Sequence, residues 1–270
     1  MSLNHPRLPP AIRAGLLAAA LLGAGAAQAV VQSSAVGEAD YGNGGNIFQI
    51  QPMVFIQGLG SANTPGQVVV LNPALEQSSA ISGLGTSMMT IDYRIHNLSA
   101  SESFSDLRFM FFANPDGDPV NFLDRLSENW GAAAPGEPTR REGREFSFDP
   151  NDIIFNRFRV NNNLTEGASA LDAACTTAAG CDATFALQWN EPTLGPGETL
   201  HIRVGLSDDG SALSSNWLRA TAVDSPDTAL TLSGLSAIVA VPEADSAWML
   251  GGGLAMVALA LRRRRGGAHR

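Results

Sequence analysis

Apolar and polar residues alternate along much of the middle of the chain. The segments Thr90–Asn97 and Leu200–Ser207 both place an apolar residue at every second position. A period of two is typical of a β-strand that buries one face and exposes the other. Clusters of turn-forming residues at 114–119 and 194–198 separate such segments. The pattern predicts one all-β domain over 30–240, an antiparallel β-sandwich of the Ig-like or jelly-roll-like kind.

Other segments of the domain extend this prediction or interrupt it. Apolar runs predict further strands at Asp106–Ala113, Asp152–Val160 and Ala183–Asn190. The segment Asn121–Trp130 has apolar residues at helical spacing, which predicts a short helix or another ordered excursion from the sheets. The segment Gly131–Glu145 combines Gly, Pro and charges of both signs, and it predicts an exposed loop.

Residues 1–29 have the order of a secretory signal peptide. Two arginines precede a short apolar run, and an Ala-Gln-Ala sequence then ends at Ala29. This order predicts export through the Sec machinery and cleavage by signal peptidase between Ala29 and Val30, with Ala27 and Ala29 as the small residues of the cleavage site. An uncleaved membrane helix is the alternative, but the apolar run is short for a span.

Residues 241–270 have three parts. A short motif comes first, followed by the uncharged and mostly apolar stretch Ser246–Leu261 and then by consecutive arginines. The motif residues are Val241, Pro242 and Glu243, and the arginines are Arg262, Arg263, Arg264 and Arg265. The apolar stretch predicts a short transmembrane helix, and the arginines predict a stop-transfer signal that keeps the C-terminus in the cytoplasm.

This three-part tail resembles the PEP-CTERM sorting domain of Gram-negative bacteria that produce exopolysaccharide. Ala244 stands where that family usually has a second proline. The resemblance covers residues 241–270 only and implies that the chain is an exosortase substrate. A membrane protease would then cut near the motif while the helix holds the protein transiently in the inner membrane, and the protein would reach the cell surface or the extracellular matrix. An ordinary single-pass anchor is the alternative.

Charge is distributed unevenly along the chain. All 17 basic residues are arginine, and the net charge is −9. The region 30–241 holds 10 of these arginines and 24 acidic residues, so its own net charge is about −14. A strongly anionic domain repels nucleic acid, which is therefore not expected as a partner.

The chain has two cysteines, Cys175 and Cys181, separated by five residues. In an exported protein a pair this close predicts a disulfide, which contributes about 2 kcal/mol to stability. A redox-active pair would more often have the C-x-x-C spacing, and a zinc site would need more ligands than the two histidines of the domain supply.

The polar cluster of Asn114, Asp116 and Asp118 alternates oxygen-bearing side chains around a glycine, as Ca²⁺ sites often do. An EF-hand loop counted from Asn114 would need a glutamate where the chain has Arg125, so the cluster is not an EF-hand. An Asp/Gly/Pro turn is the alternative. A structural Ca²⁺ ion is the single cofactor that the sequence suggests.

Aromatic and histidine residues are the remaining candidates for chemistry. Trp130 and Trp217 lie near loops and could stack on sugar rings, whereas Trp189 shares the apolar phase of its strand and is predicted to be core. His96 and His201 fall on the polar phase of predicted strands, which favours a solvated surface. The chain has no nucleophile elbow, P-loop or H-E-x-x-H motif, so we expect no enzyme activity.

These features predict an exported, surface-sorted and non-catalytic protein of the cell envelope or the exopolysaccharide matrix. A carbohydrate-binding or Ca²⁺-binding adhesion module is one alternative. A cell-envelope glycoside hydrolase is another, because the separation of two catalytic carboxylates is a property of the fold and leaves no sequence pattern.

Overall fold

A computed structural model describes most of the predicted domain. The described residues are 31–32, 39–41, 45–56, 60–62, 74–117, 120–147, 154, 158, 163–164 and 170–240. The predicted signal peptide, its cleavage site before Val30, the predicted tail and Asp118 lie outside the described residues. No helix in the described part of the chain is long and apolar enough to span a membrane.

The described residues form thirteen strands. They are β1 (Val31–Gln32), β2 (Ala39–Tyr41), β3 (Gly45–Ile56), β4 (Gly60–Ala62), β5 (Leu75–Ser82), β6 (Met88–Asn97), β7 (Phe104–Asp116), β8 (Asp124–Asn129), β9 (Arg140–Glu145), β10 (Ala183–Leu194), β11 (Glu198–Ser207), β12 (Trp217–Ala222) and β13 (Ala229–Ala240).

The strands form two antiparallel sheets. In the first sheet the order is β1-β2-β3-β7-β10-β9, with β4 paired to β3, and in the second sheet it is β5-β6-β11-β13-β12-β8. Every pairing between named strands is antiparallel. The prediction of an all-β, antiparallel fold is therefore confirmed, and the two sheets pack together in a sandwich-like arrangement around a shared core.

Aromatic rings from both sheets meet in the centre of this core. Tyr93 of β6 lies 5.0 Å from Phe109 of β7 between ring centroids, and Phe109 lies 6.0 Å from Trp189 of β10. Trp189 is 1% exposed, which confirms its prediction as a core residue. Gly234 of β13 passes directly under this ring, since a Cβ there would lie 2.7 Å from the Trp189 ring and 2.5 Å from the Arg203 carbonyl oxygen.

The first sheet is apolar on both faces. A second cluster of buried residues lies on its outer face, which points away from the second sheet. The cluster comprises Met53, Met110, Phe112, Ile154, Phe158, Leu164 and Ala186. Burial on both faces explains why the residues of β7 form a nearly continuous apolar run instead of an alternating one.

Three local predictions differ from the structure. The expected short helix at Asn121–Trp130 contains β8, because this segment pairs with β12 and turns Leu126 into the core. The expected loop Gly131–Glu145 ends in β9, a charged strand at the edge of the first sheet. Edge strands commonly carry charges, so their composition resembles that of loops. The expected strand at Asp152–Val160 is wrong at Ile154 and Phe158, whose backbone is helical.

The predicted disulfide between Cys175 and Cys181 is present, with 4.7 Å between the two Cα atoms. Its loop is also held to β8 by main-chain hydrogen bonds. The Leu126 N–H donates to the Cys175 carbonyl at 2.8 Å, and the Asp124 N–H donates to the Cys181 carbonyl at 2.7 Å. The disulfide loop therefore fastens an edge strand of the second sheet to the beginning of β10 in the first sheet.

Candidate functional site

A shallow groove of about 330 Å³ lies on the outer face of the second sheet. Three neighbouring strands, β5, β6 and β11, form its floor. Its lining residues are Glu76, Ser78, Arg94, His96, Thr199 and His201. They share one face because each strand has a period of two, and the register places Glu76 opposite His96 and Arg94 opposite His201. We call this feature the outer groove.

The hydrogen bond between His96 Nδ1 and Thr199 Oγ1 is 2.9 Å long. Glu76 lies opposite His96 on the other side, so a carboxylate, an imidazole and a hydroxyl are neighbours in one row across the three strands. Such an order occurs in hydrolases with an activated hydroxyl nucleophile. Here Thr199 is only 7% exposed, and β11 is paired on both sides, so its N–H groups serve the sheet rather than an oxyanion hole.

Arg94 and Glu76 are the two side chains of opposite charge that line the outer groove. Arg203 forms an ion pair with Asp92 at 2.8 Å beside the groove. Arg94 is exposed and forms no ion pair or hydrogen bond with other described residues. Partial burial lowers the pKa of His201, and the nearby charge of Arg94 lowers it further. Arg94 is therefore the main cation of the groove at neutral pH.

The structure places both histidines half-buried on the outward face of their strands, as their polar phase predicts. Their proximity to each other and to Thr199 was not predicted. His96 and Thr199 are 103 residues apart, and only the β6–β11 register makes them neighbours. The sequence did show that all of these residues fall on the outward face of their strands. The alternation within a strand, however, does not show which strands are adjacent.

A second polar group lies at the end of the first sheet and includes two of the predicted Ca²⁺ ligands. Asn114 is 4% exposed and Asp116 is 7% exposed. Burial raises the pKa of Asp116 to about 6, and the charge of Asp182 contributes to this rise. Burial also raises the pKa of Asp182, with a further contribution from Glu145. Asp182 was not among the predicted ligands, because it lies more than sixty residues beyond Asp116 along the chain.

Two side-chain oxygens of this group, Asn114 Oδ1 and Asp182 Oδ1, are buried without a hydrogen-bond partner. The described residues contain no cluster of three or more His, Cys, Asp or Glu side chains that could hold a metal ion. A cation in this place would therefore depend on the Asn114 amide oxygen as well as on the two carboxylates. The predicted third ligand, Asp118, lies outside the described residues.

The two candidate sugar-stacking tryptophans have different surroundings. Trp130 packs against the shared core, and the Arg141 guanidinium lies 4.6 Å from its ring centroid. One face of this ring is therefore covered. Trp217 begins β12, is half-buried, and lies opposite Asn129 of β8, which is the edge strand of the second sheet. Both tryptophans are half-buried, so exposure does not separate them as candidates for a sugar.

Comparisons of the chain with protein-family models, with curated proteins and with solved structures find no match. The resemblance of the tail to PEP-CTERM sorting domains stays a prediction from the motif around Val241, Pro242 and Glu243 and from the arginines at 262–265. The outer groove and the polar group around Asp116 are the two candidate polar sites of the described residues.

Proposed function

We propose that the chain is an exported, surface-sorted protein of the cell envelope or extracellular polysaccharide matrix, and that its β-sandwich, Ig-like or jelly-roll-like, acts by binding. The observation that carries the proposal is the Cys175–Cys181 disulfide, because such bonds persist in oxidising compartments outside the cytosol. This observation is independent of both terminal segments. It agrees with the export that the sequence of residues 1–29 predicts.

The proposal includes two processing steps. Signal peptidase removes residues 1–29, and an exosortase-like membrane protease cuts near Pro242 while the helix anchors the chain in the inner membrane. The apolar stretch and the four arginines that follow Pro242 support the second step. Because the arginines stay in the cytoplasm, the domain lies on the outer side of the membrane before it is released.

Mass spectrometry of the protein purified from cells with and without the exosortase tests this processing. We expect a chain that begins at Val30 in both strains and ends near Pro242 only when the protease is present. A chain that ends at Arg270 in both strains would mean that the tail is an ordinary anchor. A chain that retains residues 1–29 would contradict the predicted cleavage by signal peptidase.

The outer groove favours a second, compatible function, the binding of an acidic polysaccharide. The domain carries a net charge of about −14 over 30–241, so a polyanion is repelled unless a local cation holds it. Arg94 supplies such a cation, and an arginine can donate two parallel hydrogen bonds to one carboxylate. The hydroxyl of Ser78 and the imidazole of His201 add polar contacts for sugar hydroxyls. The proposed ligand class is a uronate-containing polymer.

Two substitutions that remove charges of opposite sign from the outer groove test this function in the full-length chain. We expect Arg94→Gln to weaken binding to a polyuronate about tenfold, because a charge-assisted contact is lost. We expect Glu76→Gln to strengthen it, because a repelling carboxylate is removed from the same groove. Each variant serves as the charge control for the other, and dextran serves as the neutral polymer. If both variants bind like the wild type and Trp217→Ala does not, the sugar site lies at the tryptophan instead.

The hydrolase alternative receives no support from the described residues. Asp116 and Asp182 are a coupled carboxylate pair of the kind that could supply an acid and a base. Asp116, however, is 7% exposed, and a glycosidase needs both carboxylates to face the sugar in an open cleft. The pair is better explained by the binding of a small ion, which is developed next.

A further inference from the structure

Asn114, Asp116 and Asp182 lie on the same face at one end of the first sheet. Ala113 and Phe185 are paired across β7 and β10, and both belong to the shared core. Continuing this register by three residues places Asp182 opposite Asp116. Asn114 and Asp116 therefore point to the outer face, together with Asp182. Like charges directly opposite each other in a sheet are destabilising unless something neutralises them.

Two neighbouring donors in the described part of the chain do not neutralise these side chains. The Thr184 hydroxyl, which follows Asp182 on the same face, donates to the Arg144 carbonyl at 3.2 Å. The Arg144 guanidinium itself forms an ion pair with Glu142. Both of these donors are therefore engaged elsewhere, and Asn114 Oδ1 and Asp182 Oδ1 stay buried without a hydrogen-bond donor.

The amide of Asn114 is the observation that points to a cation. Its side chain is 4% exposed, and a buried amide oxygen without a donor loses the hydrogen bond that it would make with water. A shared proton could relieve the repulsion between Asp116 and Asp182, but it would not serve the oxygen of Asn114 as well. A cation serves all three oxygen-bearing side chains at once.

We propose that Asn114, Asp116 and Asp182 bind one Ca²⁺ ion. Their donor atoms are all oxygens, which hard cations prefer, and Ca²⁺ accepts irregular oxygen shells completed by water and main-chain carbonyls. Mg²⁺ requires a nearly ideal octahedron and fits less well. With two carboxylates the dissociation constant falls in the range of extracellular modules, about 0.1–1 mM. The inference depends neither on the outer groove nor on the sorting tail.

The ion would also have a structural effect. Asp116 is the last residue of β7, and Asp182 lies between Cys181 of the disulfide and the first residue of β10. A Ca²⁺ ion would therefore join β7 and β10 at the point where the disulfide loop fastens β8. Unfolding of this end of the domain would depend on millimolar Ca²⁺, a concentration that is met outside the cell.

Calorimetric titration of Ca²⁺ and thermal unfolding of the full-length chain, at pH 7.5 after treatment with EDTA, test the site. We expect 10 mM Ca²⁺ to raise the melting temperature by about 3–10 °C, and 10 mM Mg²⁺ to raise it much less. Asp116→Asn and Asp182→Asn should each weaken Ca²⁺ binding at least about tenfold. Asp227→Asn, the same change at an exposed turn, should leave binding unaltered.

Three results would overturn the proposal. The first is a wild-type chain that shows neither binding heat nor a change in melting temperature with Ca²⁺. The second is a loss of binding in Asp118→Asn while Asp182→Asn binds normally, which would place the ion in the loop that follows β7. The third is equal stabilisation by Ca²⁺ in the wild type and in Asp116→Asn. Melting of each variant in EDTA shows separately whether it folds.

Discussion

Replacing Asp116 by Asn should stabilise the metal-free domain at neutral pH and do so less in acid. Burial raises the pKa of Asp116 from 3.8 to about 6, so the folded chain favours the protonated carboxyl. The stability that this group contributes is therefore complete below pH 4 and is lost as the pH rises through 6. Asn has nearly the same shape and stays uncharged, so it mimics the protonated form at every pH.

The size of the effect follows from the pKa difference. A rise from 3.8 to about 6 corresponds to at most about 3 kcal/mol at pH 7.5. Asn still buries a polar amide in place of the protonated carboxyl, so part of this gain is lost and we expect about 1–2 kcal/mol. At pH 4.5 about a third of this gain should remain, because the unfolded chain is still largely ionised there.

Urea unfolding in EDTA at pH 7.5 and pH 4.5 measures this difference. Other carboxylates also make the domain sensitive to acid, because hydrogen bonds from Ser215 lower the pKa of Glu137 and hydrogen bonds from Ser211 lower the pKa of Asp209. Both groups are present in the wild type and in the variant, so their effect cancels in the difference between the two. Asp227→Asn is the control for a change in net charge. The reasoning is wrong if Asp116→Asn destabilises the domain at pH 7.5, or if its gain is the same at both pH values.

Three further predictions concern the packing, the disulfide and the loops. Gly234→Ala should cost about 1–3 kcal/mol in urea unfolding, because its Cβ would enter the core tryptophan ring, whereas Gly131→Ala, with open space around it, should be neutral within about 0.5 kcal/mol. Replacing both Cys175 and Cys181 by Ala should lower the free energy of unfolding by about 2 kcal/mol. Reduction of the disulfide in the wild type should lower the free energy of unfolding by a similar amount. Glu137→Gln should cost about 1.5 kcal/mol, since its carboxylate accepts bonds from two loops; an unchanged midpoint would show that these bonds contribute nothing.

Alternation of side chains was sufficient to predict the general architecture. The period of two in β6 and β11 depends on residues two apart in the same strand, so it is visible in the sequence and predicts antiparallel sheets. The disulfide was predictable for a similar reason, because only six positions separate Cys175 from Cys181. The segment that contains β8 was misassigned, since Phe122 adopts a φ of 54° and is 46% exposed, so its apolar side chain does not belong to a helical face.

Both candidate sites depend on which strands become neighbours. Asp116 meets Asp182 through the β7–β10 register, and His96 meets Thr199 through the β6–β11 register. Register is selected by the packing of a whole face into the core, and a shift of one residue would send every side chain to the opposite face. The amino-acid order thus determined that this domain is built of half-buried strands. Packing of the two sheets decided which carboxylates and imidazoles share a surface, because that choice depends on long-range contacts between strands.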